Sequence, residues 1–227
     1  MHTLPINQVL PEVKEKLLTN TRLVLQAPPG AGKTTALPLA LLDEPWLKGK
    51  KIIMLEPRRL AVRSSASRMA ELLGEKVGQT IGYQVKMDSV QSKSTKILIV
   101  TEGILTRKLQ SDPSLEDIAL IIFDEFHERS LHADLSLALA LESQSVLRED
   151  LKILVMSATL NTSAISNILN NAPIIESEGR AYPVESVYLP VTTSQLTKKE
   201  LSTYIHRLIV KLLDTEEGNI LLPYPIA

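Results

Sequence analysis

The chain has 227 residues, of which 44% are hydrophobic and 22% charged, so it can bury a full core and form one large domain. It has no cysteine, which excludes disulfides and thiolate metal sites and suits a reducing, cytoplasmic location. A formal net charge of -1 gives no overall attraction to nucleic acid, so such a partner must be argued from local groups. No apolar segment reaches bilayer-spanning length, and we expect neither secretion nor membrane insertion.

Apolar runs alternate with helical patterns along most of the chain. The runs are almost entirely apolar, which is typical of strands buried on both faces. We therefore predict an α/β fold with a mostly parallel sheet and helices on both faces. The predicted strands are residues 22–26, 51–56, 96–100, 118–123, 152–156 and 174–176. The predicted helices are residues 11–18, 34–42, 59–73, 103–109, 135–147 and 163–169.

The pattern changes after Glu176. Residues 177–183 read as a turn, 184–189 as a strand, 196–213 as an amphipathic helix and 219–222 as the opening of another strand. We predict an ATP-binding domain at 1–178, followed by a linker and the start of a second domain at 179–227.

A glycine-rich loop follows the first predicted strand. Residues 27–34 read Ala-Pro-Pro-Gly-Ala-Gly-Lys-Thr and match the phosphate-binding P-loop, with Ala27 in place of its first glycine. Lys33 would reach the β- and γ-phosphates of ATP, and Thr34 would offer its hydroxyl to Mg²⁺. The alternative, an accidental glycine-rich turn, does not explain the strand before it and the helix after it. The predicted nucleotide-binding residues are Pro29, Gly30, Ala31, Gly32, Lys33, Thr34 and Thr35.

Two adjacent carboxylates, Asp124 and Glu125, follow the buried strand 118–123. In open α/β sheets, ligands sit at the carboxyl ends of the strands. Asp124 is placed to hold Mg²⁺, and Glu125 to orient and deprotonate the attacking water. Such a pair alone would more often open a solvated loop, but the P-loop upstream favours the functional interpretation. His127, just beyond the pair, is a candidate third catalytic and coupling residue, although a lone loop histidine is the ordinary alternative.

Taken together, these motifs resemble the superfamily 2 DEAH-box helicases, and in particular their bacterial HrpB-like branch. The resemblance covers almost the whole chain and implies a RecA-like P-loop NTPase domain, the first of two that close over one ATP. The segments that carry it are 27–34, 55–61, 82–85, 101–103, 124–130, 157–159 and 179–184.

The resemblance also implies roles for residues outside the nucleotide loop. It makes Ser157 and Thr159, with His127, the link between hydrolysis and nucleic acid. Arg68 resembles the family arginine that stacks on the nucleotide base, which allows NTPs other than ATP. The residues implied to grip the backbone of single-stranded RNA or DNA are Arg58, Arg59, Thr101, Glu102 and Gly103. Ordinary surface ion pairs are the alternative for the three arginines.

The sequence departs from the family pattern in two ways. Phe126 replaces the alanine of the motif after which the family is named. The arginine-rich motif of the second domain has no counterpart here, so we expect a truncated, monomeric fragment that hydrolyses ATP weakly. A P-loop kinase or transporter-type ATPase is a second hypothesis, which Glu125 argues against, and a non-catalytic nucleotide-dependent binding module is a third.

Overall fold

The computed structural model describes residues 4–158, 162–178 and 197–221. The chain divides into two units, Met1–Ala181 and Tyr182–Ala227. The helices are α1 (Leu10–Thr19), α2 (Ala36–Ala40), α3 (Arg59–Leu72), α4 (Glu102–Ser111), α5 (Leu131–Val146), α6 (Thr162–Ile168) and α7 (Lys198–Thr215). The strands are β1 (Arg22–Gln26), β2 (Lys51–Leu55), β3 (Ile81–Val85), β4 (Asp88–Val90), β5 (Ile97–Val100), β6 (Ile118–Phe123), β7 (Lys152–Ser157) and β8 (Ile174–Glu176).

The first unit is built on one eight-stranded sheet with the strand order β4-β3-β5-β2-β6-β7-β1-β8. Every pairing is parallel except that of β3 with β4. The carboxyl ends of the parallel strands therefore lie along one edge, where the sequence places its motifs. The prediction of a mostly parallel α/β sheet is confirmed.

Apolar side chains alternate between the two faces of the sheet, as the two-residue period of a strand requires. On one face, Leu23, Ile52 and Leu120 pack with buried residues of α1, α2 and α3. On the other face, Val24 and Ile53 pack with buried residues of α4, α5 and α6. The helices thus cover both faces, which accounts for the nearly continuous apolar strand sequences.

Strands β3 and β4 form an antiparallel hairpin that the sequence pattern did not predict. Gly82 interrupts β3, and glycine in a strand weakens the pattern. The structure explains this glycine, because a Cβ at Gly82 would lie 2.8 Å from the backbone oxygen of Val90. The close approach of the backbone at Val90 therefore requires Gly82, and the same glycine makes β3 hard to recognise from sequence.

The helices predicted at 34–42 and 135–147 have clearly different bounds in the structure. The helix predicted at 34–42 spans only Ala36–Ala40, because Pro38 has no N–H to donate and Gly32 O accepts from Ala36 N–H at 2.8 Å to close a turn. Helix α5 begins four residues earlier than predicted, since the Ser130 side chain caps it by accepting from Ala133 N–H at 3.0 Å.

The strand predicted at 219–222 is wrong for its described part. Residues 219–221 follow α7 without strand structure, since no described strand pairs with them. Most of the turn predicted at 177–183, and the whole strand predicted at 184–189, lie outside the described residues.

Helix α7 of the second unit begins at a capping box. The Thr197 side chain accepts from Glu200 N–H, and the Glu200 carboxylate accepts from Thr197 N–H at 2.9 Å. None of the helices in the described part of the chain is both long and apolar enough to cross a membrane.

Candidate nucleotide site and nucleic-acid edge

The loop after β1 is held in a curled conformation that needs glycine. Gly30 and Gly32 have φ angles of 76° and 94°, in the left-handed region. A Cβ at Gly32 would also lie 2.8 Å from Leu4 Cδ1, because the N-terminal segment packs over the loop. Ile6 N–H donates to Ala31 O at 3.1 Å and fixes this packing. The loop shape that a phosphate requires is therefore built into the backbone.

Lys33 and Glu125 meet inside the site. Lys33 Nζ lies 2.7 Å from Glu125 Oε1, and Lys33 is only 3% exposed. These groups come from the carboxyl ends of β1 and β6, which β7 separates in the sheet. The structure thus brings together the predicted phosphate-binding cation and the predicted general base.

Thr34 and Asp124 form the second contact between these segments. Thr34 Oγ1 donates to Asp124 Oδ2 at 2.5 Å, and Glu125 N–H donates to Asp124 Oδ1 at 2.8 Å. Burial raises the pKa of Asp124 to about 6, although the hydrogen bond from Thr34 opposes this shift. Within the described residues, no group of three or more acidic or histidine side chains could hold a metal. One carboxylate and one hydroxyl nevertheless fit Mg²⁺, which keeps several waters and binds substrate phosphates.

Glu125 adopts a left-handed backbone conformation, with φ 50° and ψ 34°. For a residue with a side chain this costs on the order of 1 kcal/mol or more. The kink ends the path of β6 and starts a 3-10 helix at Phe126–Glu128. In this conformation the Glu125 N–H donates to the Asp124 carboxylate, so the backbone of one acid helps to hold the side chain of the other.

His127 lies between this site and the end of β7. Its Nδ1 accepts from Ala158 N–H at 3.4 Å and lies 3.4 Å from Glu125 Oε2. Ser157, the last residue of β7, is fully buried, and its carbonyl accepts from Ala27 N–H at 3.0 Å. The predicted coupling residues His127 and Ser157 are therefore close to both loops, while Thr159 lies outside the described residues.

Phe126 explains its own departure from the family pattern. It is buried on the face of the sheet that α4, α5 and α6 cover, where its ring packs edge to face with Phe123 at 6.1 Å between centroids. The contacts of Asp124 with Thr34 and of Glu125 with Lys33 are formed beside it. Phenylalanine at this position fills the core and leaves both carboxylates in place.

The predicted nucleic-acid residues lie at two adjacent loops. Arg58 and Thr101 are the N-caps of α3 and α4, which follow the neighbouring strands β2 and β5. Glu102 and Gly103 open α4, and Arg59 is the first residue of α3. The two helix starts thus share one edge of the sheet, where their unpaired N–H groups favour anions.

The arginines take part in ion pairs and in a cleft. Arg58 contacts Glu128 at 2.6 Å with its side chain 73% exposed, and Arg68 contacts Glu71 at 2.7 Å. Both arginines line an open cleft of about 540 Å³. The cleft is also lined by Pro29, Thr34, Thr35, Glu56, Ala61, Ser64, Ser65, Glu125 and Glu128. The structure therefore places Arg58 beside the phosphate loop as well as at the predicted nucleic-acid edge.

Glu56 is an acidic group of this cleft that the sequence did not single out. It follows β2 directly, and its position at the end of an apolar run gives no sign of its burial to 3% exposure. Burial, followed by the charge of Asp124, raises the pKa of Glu56 to about 8. The cleft therefore contains a carboxyl that favours its neutral form in the metal-free protein.

These pKa shifts predict that the metal-free chain loses stability as the pH rises. Glu56 and Asp124 hold protons in the folded state up to pKa values of about 8 and about 6, above their ordinary values. The folded state therefore binds more protons than the unfolded state, and the free energy of unfolding falls by several kcal/mol between about pH 5 and about pH 8. Urea denaturation in EDTA measures this slope.

The substitution Glu56→Gln provides the comparison for this pH dependence. It removes the group with the higher pKa, so the decline above about pH 6 is expected to flatten. An unchanged slope in the variant would mean that Glu56 does not titrate in this range.

Comparison with known proteins identifies the family of this chain. The sequence pattern described as DEAD/DEAH box helicase matches residues 7–168, which include the glycine-rich loop and the acidic pair. This chain belongs to the DEAD/DEAH box helicase family. The HrpB-like resemblance is also confirmed, since the ATP-dependent RNA helicase HrpB of Escherichia coli is 48% identical over 225 residues. The match covers 99% of this chain and 27% of that protein.

Further relatives and structures support the family and the fold. The ATP-dependent RNA helicase HrpA of Borreliella burgdorferi is 36% identical over 96% of this chain and 26% of its own length. The crystal structure of the E. coli DEAH/RHA helicase HrpB superposes with a TM-score of 0.86 at 47% identity, over 95% of this chain and 27% of that one. The RecA-like helicase fold is thereby confirmed, and the chain spans about a quarter of the length of these relatives.

Proposed function

We propose that this chain is the nucleotide-binding half of an ATP-dependent motor that acts on single-stranded nucleic acid. The observation that carries the proposal is that Lys33 contacts Glu125 and Thr34 contacts Asp124. Thr34 and Glu125 of these two contacts line one cleft. A cation for phosphates, two oxygen donors for a hard metal and a base for water are the groups that ATP hydrolysis needs.

Each side chain has a distinct part in this proposal. Lys33 binds the β- and γ-phosphates, and the backbone N–H groups around Gly30 and Gly32 surround them. Thr34 and Asp124 would hold Mg²⁺, which neutralises charge on the phosphates when bound. Glu125 orients the attacking water and takes its proton, so that the phosphoryl group passes to water.

Coupling to nucleic acid would run through His127. The contact of His127 with Ala158 N–H joins the acidic loop to the end of β7, beside Ser157. A change at Glu125 can thus reach the segment that continues to Thr159. This supports His127, Ser157 and Thr159 as the coupling residues.

The nucleic-acid partner would lie along the edge formed by the starts of α3 and α4. The helix N-termini, with Arg58 and Arg59, suit phosphates and read no base sequence. The names of the relatives favour RNA, with single-stranded DNA as the other substrate of the same chemistry. Arg68 in the cleft would stack on the nucleotide base, which allows NTPs other than ATP.

The second domain would complete the site. We propose that residues 1–178 form the ATP-binding domain and that 179–227 form a linker and the start of the next domain. The arginines that stabilise the transferring phosphate would come from that domain, so we expect weak hydrolysis by these 227 residues alone. We also propose a monomer in the cytoplasm, and the absence of cysteine suits that reducing compartment.

The test is ATP turnover by the longest natural chain that contains these residues, measured alone, with single-stranded RNA and with single-stranded DNA. We expect several-fold stimulation by at least one polymer, greater with RNA. Turnover that neither polymer changes would contradict the motor function. Nucleotide binding without turnover under all three conditions would instead favour a nucleotide-dependent binding module.

A further inference from the structure

Glu56 lies beside Asp124 on the same face of the sheet. Strands β2 and β6 are parallel with Leu55 opposite Phe123, so the next residues of the two strands are neighbours. The backbone confirms this, since Asp124 N–H donates to Leu55 O at 3.0 Å. Laterally paired residues of a parallel sheet project to the same side, with the strands roughly 4.8 Å apart. The two carboxyl groups are therefore neighbours at the carboxyl edge of the sheet, and Glu56 lines the cleft.

The Glu56 side chain has no ion pair and no side-chain partner among the described residues. It is 3% exposed, and only the backbone N–H of Arg58 favours its charged form. A buried carboxyl with one backbone donor and no side-chain donor leaves most of its acceptor capacity unused, whereas buried polar groups in proteins normally have hydrogen-bond partners. Since Glu56 lines the same cleft as Thr34, donors on a ligand in that cleft can supply what the protein does not.

The charges around Glu56 indicate what kind of ligand this is. Its acidic neighbours are Asp124, Glu125 and Glu128, and the charge of each disfavours a negative charge on Glu56. A phosphate oxygen in contact with Glu56 would add to this repulsion. Water molecules bound to a divalent cation offer strong O–H donors and bring a compensating positive charge.

We propose that Glu56 is a positioning residue that accepts hydrogen bonds from the water molecules of the magnesium ion held by Thr34 and Asp124. The proposal rests on the function proposed above and assigns Glu56 a place in the same site. Partners of this kind orient a metal site without touching the metal, and their loss typically weakens metal affinity by roughly 10- to 100-fold.

The test is a titration of Mg²⁺ into the 227-residue chain saturated with ADP, for the unsubstituted protein, Glu56→Ala and Glu56→Gln. We expect Glu56→Ala to weaken Mg²⁺ affinity by about tenfold or more. Glu56→Gln, which is isosteric and keeps one carbonyl acceptor, is expected to lose less. ADP affinity in EDTA should be the same in all three proteins, because no metal water is present to be held.

The matched control is Glu128→Gln, a carboxylate of the same cleft that already has Arg58 as its partner. Its Mg²⁺ affinity should stay within about twofold of the unsubstituted chain, as expected for an exposed pair. Equal Mg²⁺ affinity in the Glu56 variants would overturn the proposal. So would a parallel loss of ADP affinity in EDTA, which would show a structural role at the start of α3. If the unsubstituted chain binds no nucleotide with Mg²⁺, the proposed function itself fails and this inference fails with it.

Discussion

Replacing Lys33 with alanine is expected to abolish detectable binding of ATP to this chain. Lys33 is the one buried cation at the glycine-rich loop, and its Nζ lies where the loop and Glu125 meet. Charge-assisted hydrogen bonds contribute about 1.5–3 kcal/mol each, so losing those to two phosphates should weaken affinity by roughly 100-fold or more. Fluorescence titration with a labelled ATP analogue in Mg²⁺ measures this loss.

The control for Lys33→Ala is Lys51→Ala. Lys51 stands at the start of β2, at the end away from the cleft, and its Nζ forms a surface pair with Asp117 at 3.0 Å. Removing it deletes the same charge without touching the site. Retained binding in Lys33→Ala would show that the loop does not hold phosphates, whereas equal loss in both variants would point to overall charge or to misfolding.

Replacing Glu125 with glutamine is expected to leave ATP bound but to stop its hydrolysis. Glutamine has the shape of glutamate but cannot take a proton from water, and a positioned general base contributes roughly 10²- to 10⁴-fold in rate. The substitution also removes the charge that Lys33 contacts at 2.7 Å, so ATP affinity is expected to be equal or somewhat tighter. Single-turnover measurements on the full natural chain separate binding from hydrolysis.

The control for Glu125→Gln is Glu116→Gln, at an exposed carboxylate that precedes β6. Its hydrolysis rate should equal that of the unsubstituted protein. Hydrolysis by Glu125→Gln at the normal rate would remove Glu125 as the base. A loss of ATP binding in that variant would instead mean that the carboxylate shapes the loop.

The sheet and the main site residues could be predicted from sequence because each depends on local pattern. All six strands predicted between residues 22 and 176 are present, since apolar runs of this kind are favoured only where both faces are covered. The loop from Ala27 to Thr34 and the pair Asp124-Glu125 each directly follow a predicted strand, so a parallel sheet places both at its carboxyl edge. Parallel strands put their ends together whatever their order in the sheet.

The remaining features depend on contacts between distant residues. Strand β3 was missed because Gly82, which the approach of Val90 requires, disrupts the strand pattern. Glu56 was missed because its burial depends on neighbours from other strands, such as Asp124 directly after β6, which no local pattern records. The left-handed conformation of Glu125 is similarly invisible, since the surrounding contacts, and not the residue type, hold it there.

The most direct test of the central claim is calorimetric titration of the 227-residue chain with a non-hydrolysable ATP analogue, in Mg²⁺ and in EDTA. The convergence of Lys33, Thr34, Asp124 and Glu125 predicts one binding site per chain, with higher affinity in Mg²⁺ than in EDTA. Absence of binding in both conditions, by a chain that unfolds cooperatively, would contradict the nucleotide site.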